Sequence, residues 1–306
     1  MLESAWGSSS VLLKLEGSLP SGSFKDRGTA VLFGSLVENG ITRVVEDSSG
    51  NAGASFAAYA AACGVELDLF VPASASPAKL LQARAHGARV HLVEGPRRAA
   101  TEAAVAAAAR DGGLYASHQW QPAFNLGTQT FAFELWEQLG RRAPDVVVCP
   151  VGAGGMLLGA DLGFRALYEA GLVERRPRII GVQSTACAPL ARAIAEGSEK
   201  AVAVDGAPSI AEGVLLTSPP RAAEILAAVR GSKGTIVATD DHAVWTAHEA
   251  LRDRGVLVEL TSALPVAALA ALHASGEIAS DDTVVIALTG HGLKSAGQLA
   301  DRLGVV

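Results

Sequence analysis

The feature that most constrains this chain is an alternation. Short apolar segments recur along it, each followed by a longer stretch with helical spacing of its apolar residues. The spacing predicts strands at residues 10–16, 42–46, 66–71, 89–93, 114–117, 145–149, 178–183, 235–238 and 283–288. It predicts helices at 29–38, 52–63, 77–86, 97–110, 125–139, 155–169, 240–254 and 294–303. Strand-helix-strand order requires parallel strands joined by right-handed crossovers, with helices covering the sheet. The fold class is therefore α/β. A length of 306 residues, 49% of them hydrophobic, supports two lobes. Residues 1–40 with 131–306 are expected to form a larger α/β domain, and residues 41–130 a smaller one. The stretch 197–218, with several Gly and Pro, is the least regular. In an open parallel sheet, ligands bind beyond the carboxyl ends of the strands, so the loops after strands are where chemistry is sought.

Composition narrows the classes of function. The net charge is −6 and no block of Lys or Arg occurs, which argues against nucleic acid or an anionic membrane as the main partner. The three cysteines, Cys63, Cys149 and Cys187, are isolated, with neither metal-ligand spacing nor a disulfide framework. A reducing, cytoplasmic location is expected. No apolar run reaches membrane-spanning length, and the chain does not open on a basic region followed by an apolar one. The seven histidines are scattered, none at metal spacing with Cys, Asp or Glu, so no metal is expected. A Gly-x-Ser-x-Gly elbow is absent, which leaves a hydrolase triad without an anchor.

Five loops or turns hold the candidates. The first is S-G-S-F-K-D-R-G at residues 21–28. Lys25 stands at the start of a helix for which Ser21 and Ser23 are N-cap candidates. Burial and the helix dipole both disfavour a charged amine there, so Lys25 is a candidate Schiff-base former. Alone, the octapeptide also reads as a solvated first turn. The second is Ser48-Ser49-Gly50-Asn51-Ala52-Gly53, whose small residues let backbone approach a flat ligand and whose Asn51 amide suits a ring substituent. An ordinary N-cap cluster would look similar. The third is Val151-Gly152-Ala153-Gly154-Gly155-Met156, where successive N–H groups open a helix and suit a single phosphate. The third glycine of a dinucleotide fingerprint is missing, since Leu157 stands there, and no P-loop Gly-Lys-Ser/Thr follows. The fourth, Thr289-Gly290-His291-Gly292-Leu293-Lys294, offers a hydroxyl to a ring nitrogen, or is simply a glycine-rich turn. The fifth is Ser209-Ile210-Ala211-Glu212-Gly213, whose pattern alone assigns no role.

Taken in order, G-S-F-K-D-R-G, S-G-N-A-G, G-A-G-G and T-G-H-G-L-K resemble one family. It is that of the fold-type II pyridoxal-phosphate enzymes, the tryptophan synthase β-like superfamily, and within it the threonine synthase branch. P-R-I-I-G-V-Q at 177–183 and V-E-L-T-S-A-L at 258–264 support the likeness, which runs from about Leu12 to the end. The resemblance implies a two-lobed parallel-sheet fold with pyridoxal 5′-phosphate between the lobes. It implies that Lys25 carries the cofactor as a Schiff base and then acts as the base for the substrate α-proton. Asn51 would meet the ring 3′-oxygen, and the backbone of Gly152, Ala153, Gly154, Gly155 and Met156 the phosphate. Thr289 would meet the ring nitrogen, where a neutral hydroxyl leaves that nitrogen less protonated and favours elimination and replacement. Ser48, Ser49, Gly50 and Ala52 would line the substrate carboxylate.

The implied activity is a threonine synthase-like lyase acting on a small polar amino acid, in a homodimer. Serine/threonine dehydratase or β-replacement synthase is the alternative, and a cofactor-binding protein without turnover a further one. Two departures bear on the substrate. No Thr-Pro-Leu motif precedes the first strand. Ala52, Ala153 and Phe124 stand where threonine synthases carry the polar residues that hold a substrate phosphate. An unpaired dianion is costly to desolvate. That argues against O-phosphohomoserine, and S-I-A-E-G resembles the serine/threonine dehydratases more closely.

Overall fold

The computed structural model describes residues 10–305. Its strands are β1 (Ser10–Leu15), β2 (Arg43–Glu46), β3 (Glu66–Pro72), β4 (Arg89–Val93), β5 (Leu114–Tyr115), β6 (Val146–Pro150), β7 (Arg178–Ser184), β8 (Ile236–Thr239) and β9 (Thr283–Leu288). Its α-helices are α1 (Lys25–Glu38), α2 (Asn51–Cys63), α3 (Pro77–Ala85), α4 (Arg97–Asp111), α5 (Pro122–Thr128), α6 (Thr130–Gln138), α7 (Gly155–Glu169), α8 (Pro189–Ala195), α9 (Ala222–Gly231), α10 (Asp241–Arg252), α11 (Leu264–Ala274) and α12 (Ala296–Leu303). The described residues divide into two compact units, one of residues 10–18 and 128–305, the other of residues 19–127.

The first unit is built on a five-stranded sheet in the order β1-β9-β6-β7-β8, with every neighbouring pair parallel. In β1 and β9, Ser10 lies opposite Thr283 and Leu15 opposite Leu288. The central strand β6, Val-Val-Val-Cys-Pro, is buried at every residue. A parallel strand covered on both faces needs such a continuous apolar run. Val146, Val148, Ile180, Val182, Val284 and Ile286 from the sheet meet Leu264, Leu269 and Leu272 of α11 in one core.

The second unit carries a four-stranded parallel sheet, β4-β3-β2-β5. Its core joins Leu32, Phe33 and Leu36 of α1 to Phe56 of α2, Leu67 and Leu69 of β3, and Phe124 of α5. Phe33 and Phe56 meet edge to face, with centroids 5.5 Å apart.

Each expected strand lies within two residues of its place. The helices differ more. The stretch expected as one helix over 125–139 is two, α5 and α6, and the units divide just where α5 ends. Helices α8, α9 and α11 lie where the periodicity gave none. In α11 nearly every residue is apolar, so there is no polar face to produce a period. The division between units also falls elsewhere than expected: residues 19–40, and α1 with them, belong to the smaller unit. There Gly28 is pressed against the Phe124 ring, where a Cβ would lie 2.7 Å from its carbons.

Candidate active site

In the smaller unit, Lys25 is the first residue of α1. Gly22, at φ 85°, makes the tight turn that precedes it and donates from its N–H to Leu19 O at 2.8 Å. The N-cap position is Phe24, with no side-chain cap, so Ser21 and Ser23 do not cap the helix as expected. Ser21 instead donates from its N–H (2.6 Å) and hydroxyl (2.5 Å) to the Asp26 carboxylate. Ser55 of α2 donates to the same carboxylate at 2.5 Å, and Thr29 Oγ1 donates to Lys25 O at 2.9 Å. Asp26 is 1% exposed. A buried carboxylate with three charge-assisted bonds clamps the first turn of α1 to α2, and a solvated first turn is thereby excluded. The clamp holds the Lys25 amine 4.8 Å from the Phe24 ring centroid and 5.8 Å from that of Phe124.

A second buried group faces the same ring. His118 stacks edge-on against Phe124, centroids 5.8 Å apart, and its Nδ1 lies 2.7 Å from Glu46 Oε1. Glu46, the last residue of β2, is wholly buried, and its Oε2 has no hydrogen-bond partner. Burial pushes the Glu46 carboxyl well above the usual range, helped by the Asp47 charge and opposed by Arg97 and Lys25. Burial likewise holds the His118 imidazole well below its ordinary value, helped by the charges of Lys25 and Arg97. Both shifts favour the uncharged forms, a protonated carboxyl and a neutral imidazole. Asp47 itself accepts from Arg97 Nη1 at 2.9 Å and Thr101 Oγ1 at 2.5 Å.

These anchors fix the base of the 48–53 loop. Asn51 opens α2, whose N-cap, Gly50, provides no side-chain cap. The dipole at this helix start favours a negatively charged group. Ser48, Ser49 and Asn51 are half-buried, Gly50 is exposed and Ala52 is buried. A Cβ at Gly53 would collide with Ser48 O, so the loop closes only over glycine. Lys25 and this loop belong to packed neighbours, since α1 lies against α2.

In the larger unit, residues 152–156 follow β6 and Thr289 follows β9, and these strands are neighbours in the sheet. Gly154 caps α7 at φ 83° without a side-chain bond. The first intrahelical donor is Leu158 N–H, to Gly154 O at 2.8 Å, which leaves the N–H groups of Gly155, Met156 and Leu157 with no acceptor in the helix. At Gly152 a Cβ would lie 2.9 Å from Val214 Cα, and at Gly154 it would collide with Ile225. The Ser209–Gly213 segment is thus pressed on this cradle. It is held by Ser209 Oγ to Asp241 at 2.5 Å, Ile210 N–H to Asp241 at 3.0 Å, and Gly213 N–H to Thr261 Oγ1 at 3.1 Å. Thr289 is 2% exposed, and its hydroxyl donates to Glu259 Oε1 at 3.0 Å.

The smaller unit thus offers an amine at a helix start, and the larger an uncapped run of N–H groups and a buried hydroxyl. Residues 2–290 match the family model described as pyridoxal-phosphate dependent enzyme. This chain belongs to that family. As a pyridoxal-phosphate enzyme it resembles the threonine synthase of Methanosarcina acetivorans, 33% identical over 96% of this chain and 73% of that protein. The threonine synthase of Mycobacterium bovis is 34% identical over 92% of this chain and 76% of the relative. Among solved structures, a threonine deaminase from T.th. superimposes with a TM-score of 0.78 at 28% identity, covering 92% of this chain and 87% of that one. Maize serine racemase shares the fold at a TM-score of 0.81 and 20% identity, over 96% and 88% of the two chains. No helix among the described residues is long and apolar enough to cross a membrane.

Two groups near the expected site residues escaped sequence reasoning. Glu46 ends the strand T-R-V-V-E and looks like a polar strand end, yet it is wholly buried. Glu259, second in V-E-L-T-S, reads as a surface charge between apolar neighbours, yet it is 8% exposed beside Thr289. Its place within an apolar run was the available signal; Glu46, followed by Asp47, carried none.

Proposed function

We propose that this pyridoxal-phosphate enzyme catalyses elimination or replacement on a small polar amino acid, as a threonine synthase-like lyase. The observation that carries the reading is the Lys25 amine, fixed at the start of α1 by the Asp26 clamp and held beside two aromatic rings. When bound, the cofactor supplies an electron sink for charge that develops at the substrate α-carbon. Lys25 holds the cofactor and takes the α-proton as general base. Asn51 hydrogen-bonds the ring 3′-oxygen. Ser48, Ser49, Gly50 and Ala52, at the uncapped start of α2, hold the substrate carboxylate. The N–H groups of 152–156 take the phosphate, and Thr289 takes the ring nitrogen. The reading includes a second copy of the chain as partner, tested by solution mass, and a reducing cytoplasm, in keeping with three free thiols.

One observation favours a second reading, a serine/threonine ammonia-lyase. Phe124 is fully buried, and Ala52 is 1% exposed, so neither brings a polar group to a substrate phosphate. The experiment incubates the holoprotein with O-phosphohomoserine, serine, threonine and O-acetylserine. Threonine and phosphate from the first support a threonine synthase. A 2-oxo acid and ammonia from serine or threonine support the ammonia-lyase. Turnover of none of the four overturns both.

A further inference from the structure

A cavity of about 670 Å³ opens between α7 and α9 of the larger unit. Leu158, Leu162 and Ala228 give it an apolar wall. Six charged side chains share it, Asp161, Glu169 and Glu224 against Arg165, Arg176 and Arg221. Equal numbers of each sign favour neither a lone anion nor a lone cation. Two of the six are short of partners. Asp161 is 7% exposed, yet its carboxyl makes no hydrogen bond among the described residues. Arg176 Nη1 stands 3.6 Å from it and Arg165 Nη2 3.8 Å, both beyond hydrogen-bond length. Burial holds the Asp161 carboxyl above its ordinary value, and the two arginines offset that only in part. Arg165 likewise makes no hydrogen bond among the described residues. The other two arginines are engaged: Arg176 donates to Gly231 O at 2.9 Å, and Arg221 donates to Glu224. A buried carboxyl is ordinarily hydrogen-bonded. This cavity instead presents an unused acceptor and an unused guanidinium side by side, one turn apart on α7.

We propose that the cavity is a second small-molecule site, which takes a free α-amino acid with an apolar side chain. Its ammonium donates to Asp161, its carboxylate accepts from Arg165, and its side chain lies on Leu158, Leu162 and Ala228. The ammonium and carboxylate of an α-amino acid hang from one carbon, which suits an acceptor and a donor that are immediate neighbours. The site stands apart from the 152–156 cradle, since Asp161 lies roughly 10 Å along the α7 axis from Gly154. The two are nonetheless joined by packing. Ile225 of α9 is pressed on Gly154, where a Cβ would lie 2.4 Å from Ile225 Cδ1. An occupant held between α7 and α9 therefore bears on the contact that closes the cradle.

The test is calorimetric titration of the holoenzyme with L-leucine, with the visible absorbance of the bound cofactor followed in parallel. One equivalent per chain is expected to bind and to leave the visible band in place. Loss of one charge-assisted hydrogen bond weakens affinity by about 10–100-fold. That loss is expected in Asp161→Asn and in Arg165→Gln, and also with L-leucinamide, which lacks the carboxylate, and with 4-methylpentanoate, which lacks the ammonium. Arg165 is partly exposed, so its variant keeps the test decisive even if Asp161→Asn fails to fold. No binding of L-leucine up to about 10 mM overturns the proposal. Binding that shifts the visible band and survives Arg165→Gln places leucine at the cofactor, and overturns it as well. Undiminished binding of L-leucinamide overturns the role of Arg165, and undiminished binding of 4-methylpentanoate that of Asp161.

Discussion

At Lys25 the chain invests three buried hydrogen bonds on Asp26 to fix the turn that carries one amine. If that amine holds the cofactor and moves the α-proton, Lys25→Ala loses the visible absorbance of bound cofactor and slows turnover by about 10²–10⁴-fold. An unchanged visible spectrum in this variant would sink the assignment. Glu46 makes a different claim, on stability. Its folded pKa is raised by burial. Between about pH 4.3, where an unfolded glutamate ionises, and its folded value, the native state binds more protons than the unfolded one. The Glu46 contribution to stability therefore falls as pH rises through that window. Glu46→Gln keeps a partner for His118 and removes the titration, so its melting temperature relative to wild type climbs with pH above about 4.3. A gap that stays flat with pH would mean that Glu46 is ionised in the fold. His118 works the other way. Its lowered folded pKa means that stability is lost as pH falls below about 6.5, where the unfolded imidazole gains its proton first.

At the scale of elements, α1 and α2 show how one residue type serves opposite ends. Gly34 lies in α1 with open space where a Cβ would be. Gly34→Ala should stabilise the protein by about 0.5–1 kcal/mol, because alanine restricts the unfolded chain and glycine does not. Gly53 lies in the first turn of α2, and its Cβ would collide with the Ser48 carbonyl oxygen. Gly53→Ala should cost about 1–3 kcal/mol and displace Ser48, Ser49 and Asn51 from their loop. Thermal melts check the signs, and KM for the amino-acid substrate should rise in Gly53→Ala alone. Equal effects in the two variants would contradict the view that 48–53 is shaped by this one close approach.

For the whole molecule, legibility followed whether a pattern was local. The buried strand β6 was plain in V-V-V-C because both faces of a parallel strand are covered. The helix α11 was not, because a helix apolar on nearly every side has no period. The site divides in the same way. Lys25 and the glycine loops stand out as candidates in the sequence because each is a contiguous motif. The clamp on Asp26 does not, since Ser55, one of its partners, lies 29 residues away. Glu46 and His118 are separated by 72 residues and meet only through the fold. The division into units follows packing rather than order in the chain: the apolar face of α1 meets α2, β3 and α5, which places it in the smaller unit. That face leads to a prediction about independence. Residues 19–127 are continuous in sequence, and their core of Leu32, Phe33, Phe56, Leu67, Leu69 and Phe124 closes within them. Their far end is tied back to α1, because a Cβ at Gly127 would lie 2.7 Å from Gly28 Cα. A domain of about a hundred residues is large enough to bury a core of its own. The fragment 19–127, expressed alone, is therefore expected to melt in one cooperative transition by circular dichroism. Phe124→Ala in that fragment should cost about 3–5 kcal/mol and lower its midpoint by on the order of 10–30 °C, because the ring fills the space between Gly28, Phe56 and His118. A gradual, non-cooperative melt of the parent fragment would show that this core is not self-sufficient.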